Sequence, residues 1–258
     1  MSMFIDTHTH IYSEEFDADR EMAISRAGQA GVDCFLLPAI DSQYHERLLH
    51  TVSGFPHLCY PMMGLHPTSV KADFQNELAI VENYLERPDL RFYAVGEIGI
   101  DLYWDKTYEA EQKNAFRKQL NLAVTHHLPV VIHTRNSMDM ALEILEKENN
   151  PGLRGVFHCF SGNQEQARRA INLGFLLGIG GVITYKNSGL QKVVEMTNPE
   201  HLVLETDAPW LPPVPHRGER NEPSYISLIA QKMAEIKKIT LDQVAEITTQ
   251  NARTIFHI

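Results

Sequence analysis

At 258 residues, 43% of them hydrophobic, the chain is long enough to bury one full α/β-barrel core, for which about 250 residues is typical. A net charge of −10 excludes a broad electrostatic grip on duplex DNA, which needs clustered Lys and Arg, but not an enzyme that takes a short strand through bound cations. No apolar run approaches the roughly 20 residues of a membrane span. MSMFIDTHTH lacks the basic and apolar segments of a secretory signal, and Cys34, Cys59 and Cys159 are too scattered for a disulfide framework or a zinc finger, so a cytoplasmic protein with buried, reduced thiols is expected.

In chain order, short apolar or β-branched runs alternate with longer amphipathic stretches. The run at 3–5 leads into Asp6-Thr7-His8-Thr9-His10. A helix is predicted near 17–30, a strand at 34–37, a helix near 44–52, and a strand at 59–63 that leads to Gly64-Leu65-His66-Pro67. After a helix near 76–86, the run at 92–95 ends at Gly96-Glu97-Ile98-Gly99-Ile100-Asp101. A helix near 109–126 precedes the run at 130–132, which ends at His133-Thr134-Arg135. A helix near 138–148 precedes the run at 155–157, which ends at His158-Cys159-Phe160. Helices near 164–173 and 190–196 flank a strand at 175–179, and the eighth run, 202–204, ends at Glu205-Thr206-Asp207. Residues 209–215 read as a rigid proline-rich loop, and helices over 225–237 and 241–256 complete the pattern. Alternating strands and helices imply parallel pairing through right-handed crossovers. Eight units point to a closed (β/α)₈ TIM barrel, with a doubly wound open sheet as the rival. No repeat, low-complexity tract or linker interrupts the series, so residues 1–258 are expected to form one domain.

In a parallel barrel the strand ends converge on one face, the face that carries active sites in this fold. His8 and His10 are two apart on an extended segment, which points both imidazoles to one side and lets both bind one ion. Glu97 and Asp207 directly follow apolar runs; a buried, unpaired carboxylate is costly, and a divalent cation removes that cost. His133 and His158 end neighbouring strands. His66 ends the third, and three roles stay open for it: a donor behind a ligand, a substrate phosphate contact, or a packed histidine. Arg135, Lys186, Arg217 and Arg220 are phosphate contacts or solvated charges. Tyr103, Trp104 and Trp210 fall in loops of the same face, where they stack bases or pack the rim. His126 and His127 suit a helix C-terminus.

The segments FIDTHTH (4–10), GLHP (64–67), VGEIGID (95–101), PVVIHTR (129–135), FHCFSG (157–162), ETDAPWLPP (205–213) and RNEP (220–223) carry a family resemblance. Together they resemble the TatD-like metal-dependent deoxyribonucleases of the amidohydrolase superfamily, over essentially the whole chain. The H-x-H pair alone is common to the superfamily; its combination with GEIGID, HCFSG and TDAPWL is specific. The resemblance implies an amidohydrolase-type barrel that hydrolyses DNA phosphodiesters, with 3′-to-5′ polarity. It implies one metal on His8, His10 and Asp207, a second on His133 and His158, and Glu97 bridging them, so that Asp207 and Glu97 are the catalytic carboxylates. Glu97 stands where other superfamily members use a carboxylated lysine, which disfavours a phosphotriesterase-type or dihydroorotase-type assignment. Two divalent ions are expected: Zn²⁺, Mn²⁺ or Co²⁺ suit the histidines, whereas Mg²⁺ prefers oxygen. The expected substrate is DNA with single-stranded or frayed ends. The alternatives are another hydrolase of the superfamily acting on a small phosphoester, lactone or amide, and a non-enzymatic scaffold. Neither a membrane nor an obligatory protein partner is inferred.

Overall fold

In the computed structural model, which describes residues 3–258, eight strands alternate with helices; Met1 and Ser2 of the MSMFIDTHTH segment lie outside the described residues. The strands are β1 (Phe4–Asp6), β2 (Val32–Leu37), β3 (Cys59–Pro61), β4 (Val95–Asp101), β5 (Val130–Arg135), β6 (Gly155–Phe157), β7 (Phe175–Ile179) and β8 (Leu202–Leu204). The helices are α1 (Arg20–Gln29), α2 (Ser42–Gly54), α3 (Phe74–Leu85), α4 (Glu109–Thr125), α5 (Met138–Glu148), α6 (Gln164–Asn172), α7 (Leu190–Met196), α8 (Ile226–Lys237) and α9 (Leu241–Phe256). None of these helices is long and apolar enough to cross a membrane.

Strands β1–β3 pair in parallel, as do β4–β8. Two seams join the groups. Met63 bridges Val95, with the Gly96 amide donating to the Met63 carbonyl at 3.0 Å. The Thr7 amide donates to the Leu204 carbonyl at 3.0 Å, which brings β1 to β8. The eight strands therefore close into a (β/α)₈ barrel and not an open sheet.

Strand side chains alternate between two faces. Phe4, Phe35, Leu37, Val130, Ile132, Phe157 and Leu204 join the large cluster beneath the helices. Ile5, Leu36, Met62, Ala94, Val131, Val156 and Val203 form a separate cluster inside the barrel, plugged from below by Ile255 and Phe256 of α9. Counting on by twos from that inner layer gives His66 after Met62, His133 and Arg135 after Val131, His158 after Val156, and Glu205 and Asp207 after Val203. The barrel interior is thus apolar at its base and histidine- and acid-lined at its mouth. β4 departs from the predicted 92–95: its register shifts at Gly96/Ile98, and pairing with β5 continues to Asp101. Glu97 lies within that strand, not beyond its end.

The segment Arg220-Asn221-Glu222 fastens the exit of β8 to α1. Asn221 Nδ2 donates to the Thr206 and Trp210 carbonyls at 2.7 and 2.6 Å. Arg26 donates to Glu222 at 3.1 and 2.6 Å and to Asp19 at 3.0 Å. Arg220 donates to Asp19 at 2.6 and 2.8 Å and to the Glu15 carbonyl at 2.7 Å. Arg220 is therefore a structural clamp and not one of the expected free phosphate contacts. The Arg220 and Arg26 hydrogen bonds hold Asp19 well below the usual carboxylate range. Burial pushes Glu222 up, but Arg26 and Ser224 outweigh it and leave its pKa lowered. A carboxyl with a depressed folded pKa contributes stability above its unfolded pKa, about 4 for these groups, and loses it as pH falls through the folded value. Glu222→Gln is expected to cost about 1–3 kcal/mol at pH 7 and to flatten the loss of stability below about pH 4.5. Urea unfolding at the two pH values measures both.

Candidate metal centre

Glu97 is the hub of the barrel mouth. Its Oε2 lies 3.1 Å from His8 Nε2 and 3.7 Å from His10 Nε2. Its Oε1 lies 2.8 Å from His133 Nδ1, 3.2 Å from His158 Nε2 and 3.3 Å from His66 Nε2. Asp207 Oδ1 stands 3.7 and 3.9 Å from His8 and His10 Nε2. The structure thus brings together all six residues expected to hold metal, and His66 with them. Ligand-capable atoms of His8, His10 and Asp207 lie within 4.8 Å of one another, as do those of His66, Glu97 and His133, and those of His8, His158 and Glu205.

Glycines permit this crowding. Gly99 has φ +142°, and a Cβ there would stand 2.0 Å from the His133 carbonyl oxygen. A Cβ at Gly178 would stand 2.3 Å from Glu205 Oε2.

The partners behind the imidazoles fix their hydrogens. Tyr12 Oη donates to the Pro38 carbonyl at 2.7 Å, so it accepts from His10 Nδ1 at 2.9 Å. Asp101 Oδ2 accepts from His133 Nε2 at 2.9 Å. Glu205 Oε1 stands 3.2 Å from His158 Nδ1 and also accepts the Cys159 amide. In His10 and His133 the outer nitrogen donates, so a neutral ring turns its lone pair inward, and Glu205 stands on the corresponding side of His158. Lone pairs then face carboxylate oxygens, acceptor against acceptor, and only a proton or a cation relieves the contact. Only at His133 and His158 do the surrounding carboxylates favour the proton over burial. Burial favours a neutral Glu97, but His158, His66 and His8 outweigh it and hold its pKa well below the usual value. Burial opposes a charged His158, yet Glu97 and Glu205 raise its pKa well above normal; His133 is raised against burial by Asp101 and Glu97. Burial lowers His8, His10 and His66, and pushes Asp207 up to about 7. A set of convergent imidazole nitrogens and carboxylate oxygens fits a first-row divalent cation.

Sequence reasoning missed the supporting layer. Asp101 and Glu205 were within reach of it: Asp101 follows Glu97 by four residues on one strand, and Glu205 precedes Asp207 by two. Asp6 accepts from the Thr206 amide at 2.9 Å and the His8 amide at 3.3 Å, tying the two metal-capable segments together. Burial pushes its carboxyl up to about 8. Nothing in spacing marks Tyr12, which is wholly buried behind His10.

The expected substrate contacts divide. Trp210 is exposed, and its ring stands edge-on to His10 at 4.7 Å. Tyr103 and Trp104 are exposed, with the Arg135 guanidinium 3.8 and 5.2 Å from their ring centres. Their backbone amides both donate to Asp101 Oδ1, at 2.9 and 3.3 Å, which hooks this loop to the carboxylate behind His133. Arg217 stacks on Tyr185 at 4.4 Å. Lys186 is exposed, and no contact among the described residues ties it to the centre. Cys34 and Cys59 are buried as expected, whereas Cys159, beside His158, is only partly so.

The profile of the family described as TatD related DNase matches residues 5–257. The chain is 35% identical over 257 residues to the uncharacterized metal-dependent hydrolase YabD of Bacillus subtilis, covering 99% of this chain and 100% of that protein. Its fold is similar to the crystal structure of YjjV, a TatD homologue from Escherichia coli, with a TM-score of 0.92, 33% identity, and coverage of 99% and 98% of the two chains. A TatD-family hydrolase structure from Entamoeba histolytica, 21% identical with a TM-score of 0.84 and covering 99% of this chain and 98% of that one, shares the fold.

Proposed function

The chain belongs to the TatD-related DNase family of hydrolases, and from that premise we propose that its barrel mouth hydrolyses phosphodiester bonds at single-stranded or frayed DNA ends. The convergence of five imidazoles on the two oxygens of Glu97 carries this reading. In it, residues 1–258 act as one catalytic domain, in a reducing cytoplasm that suits three unpaired thiols. His8, His10 and Asp207 would hold one divalent cation and His133 and His158 a second, with Glu97 placed to serve both. Mg²⁺, Mn²⁺, Zn²⁺ and Co²⁺ are the candidate ions. Bound cations supply positive charge to the phosphoryl oxygens and acidify a nearby water.

The residues of the chain do the rest. Asp207 is the site carboxylate nearest the mouth, with 12% of its side chain exposed against 3% for Glu97. It takes a proton from the attacking water as the water oxygen bonds to phosphorus. The bond from phosphorus to the leaving sugar oxygen breaks, and that oxygen takes a proton from solvent. Trp210 stacks the terminal base, and the Tyr103–Arg135–Trp104 platform receives the adjoining nucleotide. The polarity proposed is 3′ to 5′, in keeping with the family.

With Arg220 committed to Asp19, the expected phosphate contacts reduce to Arg135, Lys186 and Arg217. About two to four phosphates are then engaged, and the log–log salt slope for single-stranded DNA should be about −1.4 to −2.8. The test compares 5′-labelled linear single strands, linear duplex and closed-circular DNA. Stepwise shortening of the linear strand with the circle intact is expected. Rapid cutting of the circle, or a steep slope with tight duplex binding, would overturn the end-directed reading. Turnover of a small ester or amide with no DNA cleavage would overturn the substrate.

A further inference from the structure

His66 differs from its neighbours in where its hydrogen sits. It precedes the short 3₁₀ turn Pro67–Ser69, and its Nδ1 accepts the Thr68 backbone amide at 3.2 Å, with the Thr68 hydroxyl at 2.6 Å. A backbone amide can only donate, so Nδ1 is bare and a neutral ring carries its hydrogen on Nε2. That nitrogen faces the centre, 3.3 Å from Glu97 Oε1. His10 and His133 are the reverse case, with acceptors behind the ring and a lone pair in front. His158 follows them, with Glu205 behind it. A nitrogen that carries hydrogen has no lone pair for a cation. His66 therefore sits among ligands, within reach of Glu97 and His133, but in the wrong tautomer to be one.

Its place in the mouth suits a different partner. The His66 side chain is 14% exposed, close to His133 at 16%, whereas His8 is 1% exposed. Its ring packs edge-on to His133 at 4.6 Å, and its Nε2–H meets Glu97 Oε1 at 3.3 Å beside the second metal position, where a substrate oxygen would share that hydrogen. The group that fills such a space in a phosphodiester hydrolase is an anionic oxygen, which is a hydrogen-bond acceptor.

We propose that His66 is a substrate-contacting residue and not a metal ligand, with its Nε2–H donating to a phosphoryl oxygen seated beside Glu97 and His133. The assignment rests on the phosphodiesterase reading for its substrate, and on the Thr68 amide for its tautomer.

Three measurements test it on the full chain. In ¹⁵N-histidine-labelled wild-type protein, long-range ¹H–¹⁵N correlation should show His66 with a bare Nδ1 and a protonated Nε2, with and without added Mn²⁺-free divalent metal such as Zn²⁺. Metal analysis should show unchanged metal-to-protein ratios for His66→Gln and His66→Leu. Titration with inorganic phosphate should show binding weakened about 10- to 100-fold in His66→Leu and largely recovered in His66→Gln, whose amide keeps an N–H donor. On a linear single strand, kcat/KM should follow the same order. An Nδ1–H tautomer, the loss of an ion in His66→Gln, or phosphate binding in His66→Leu equal to wild type would overturn the proposal. If no DNA is cleaved at all, the functional reading fails, while the tautomer, metal content and phosphate binding still decide the role of His66.

Discussion

Asp207→Asn is expected to lower kcat for DNA hydrolysis about 10²- to 10⁴-fold while leaving the barrel folded. The backbone at Asp207 has φ +58°, in the left-handed region that asparagine enters as readily as aspartate. The contacts that hold it there are backbone ones: its amide donates to the His8 carbonyl at 2.9 Å, and its carbonyl accepts from the Trp210 amide at 2.9 Å. Asparagine therefore keeps the turn and the side-chain shape. It loses the negative charge facing His8 and His10, and it cannot accept a proton from water. Turnover should be measured at saturating metal, so that weaker ion binding is separated from lost proton transfer, with thermal unfolding by circular dichroism alongside. Near wild-type turnover under those conditions would remove Asp207 from the mechanism.

His133→Ala and His158→Ala are each expected to bind one metal ion fewer per chain than the parent. Both rings aim a nitrogen at the same oxygen of Glu97, from 2.8 and 3.2 Å. Each is held from behind by its own carboxylate, Asp101 or Glu205, which fixes the ring and strengthens it as a ligand. Alanine removes one ligand of that ion and leaves the carboxylate behind it without its imidazole. The apolar layer below the site, including Val131 and Val156, is untouched, so the fold should persist. Metal-to-protein ratios after exhaustive dialysis, with far-ultraviolet circular dichroism, measure both effects. Full metal retention in both variants would sink the two-ion arrangement.

The alternation of strands and helices was legible because the inner and outer faces of each strand are both apolar below the mouth, so short runs such as 130–132 and 202–204 stand out. The ends of those runs were legible for the same reason: His133, His158 and Glu205 are the first polar side chains on the inner face, with Asp207 two residues further on. β4 was read too short because Gly96, Glu97 and Gly99 interrupt the apolar pattern, although those glycines are what let the strand pass close to Val131 and His133. The supporting carboxylates were harder to see. A strand residue's face follows from parity, but whether Asp101 or Glu205 points at a ring or at water depends on the neighbouring strand. Arg220 was misplaced because charge alone does not reveal that Asp19, some 200 residues earlier, waits for it.

Where β1 meets β8, the barrel imposes an order on its own assembly. Asp6 and Thr206 bond across a sequence separation of 200 residues, and His8 faces Asp207 over nearly the same gap. α9 clasps the seam from below, with Thr249 Oγ1 donating to the Met3 carbonyl and Asn251 Nδ2 to that of Leu202. As the chain emerges from the ribosome, Glu97, His133 and His158 can meet once the middle strands have paired. The cluster of His8, His10 and Asp207 must wait until the eighth strand is made and the circle closes. Contacts of such long range are slow to form, so in a growing chain the two histidines synthesised first complete their site last.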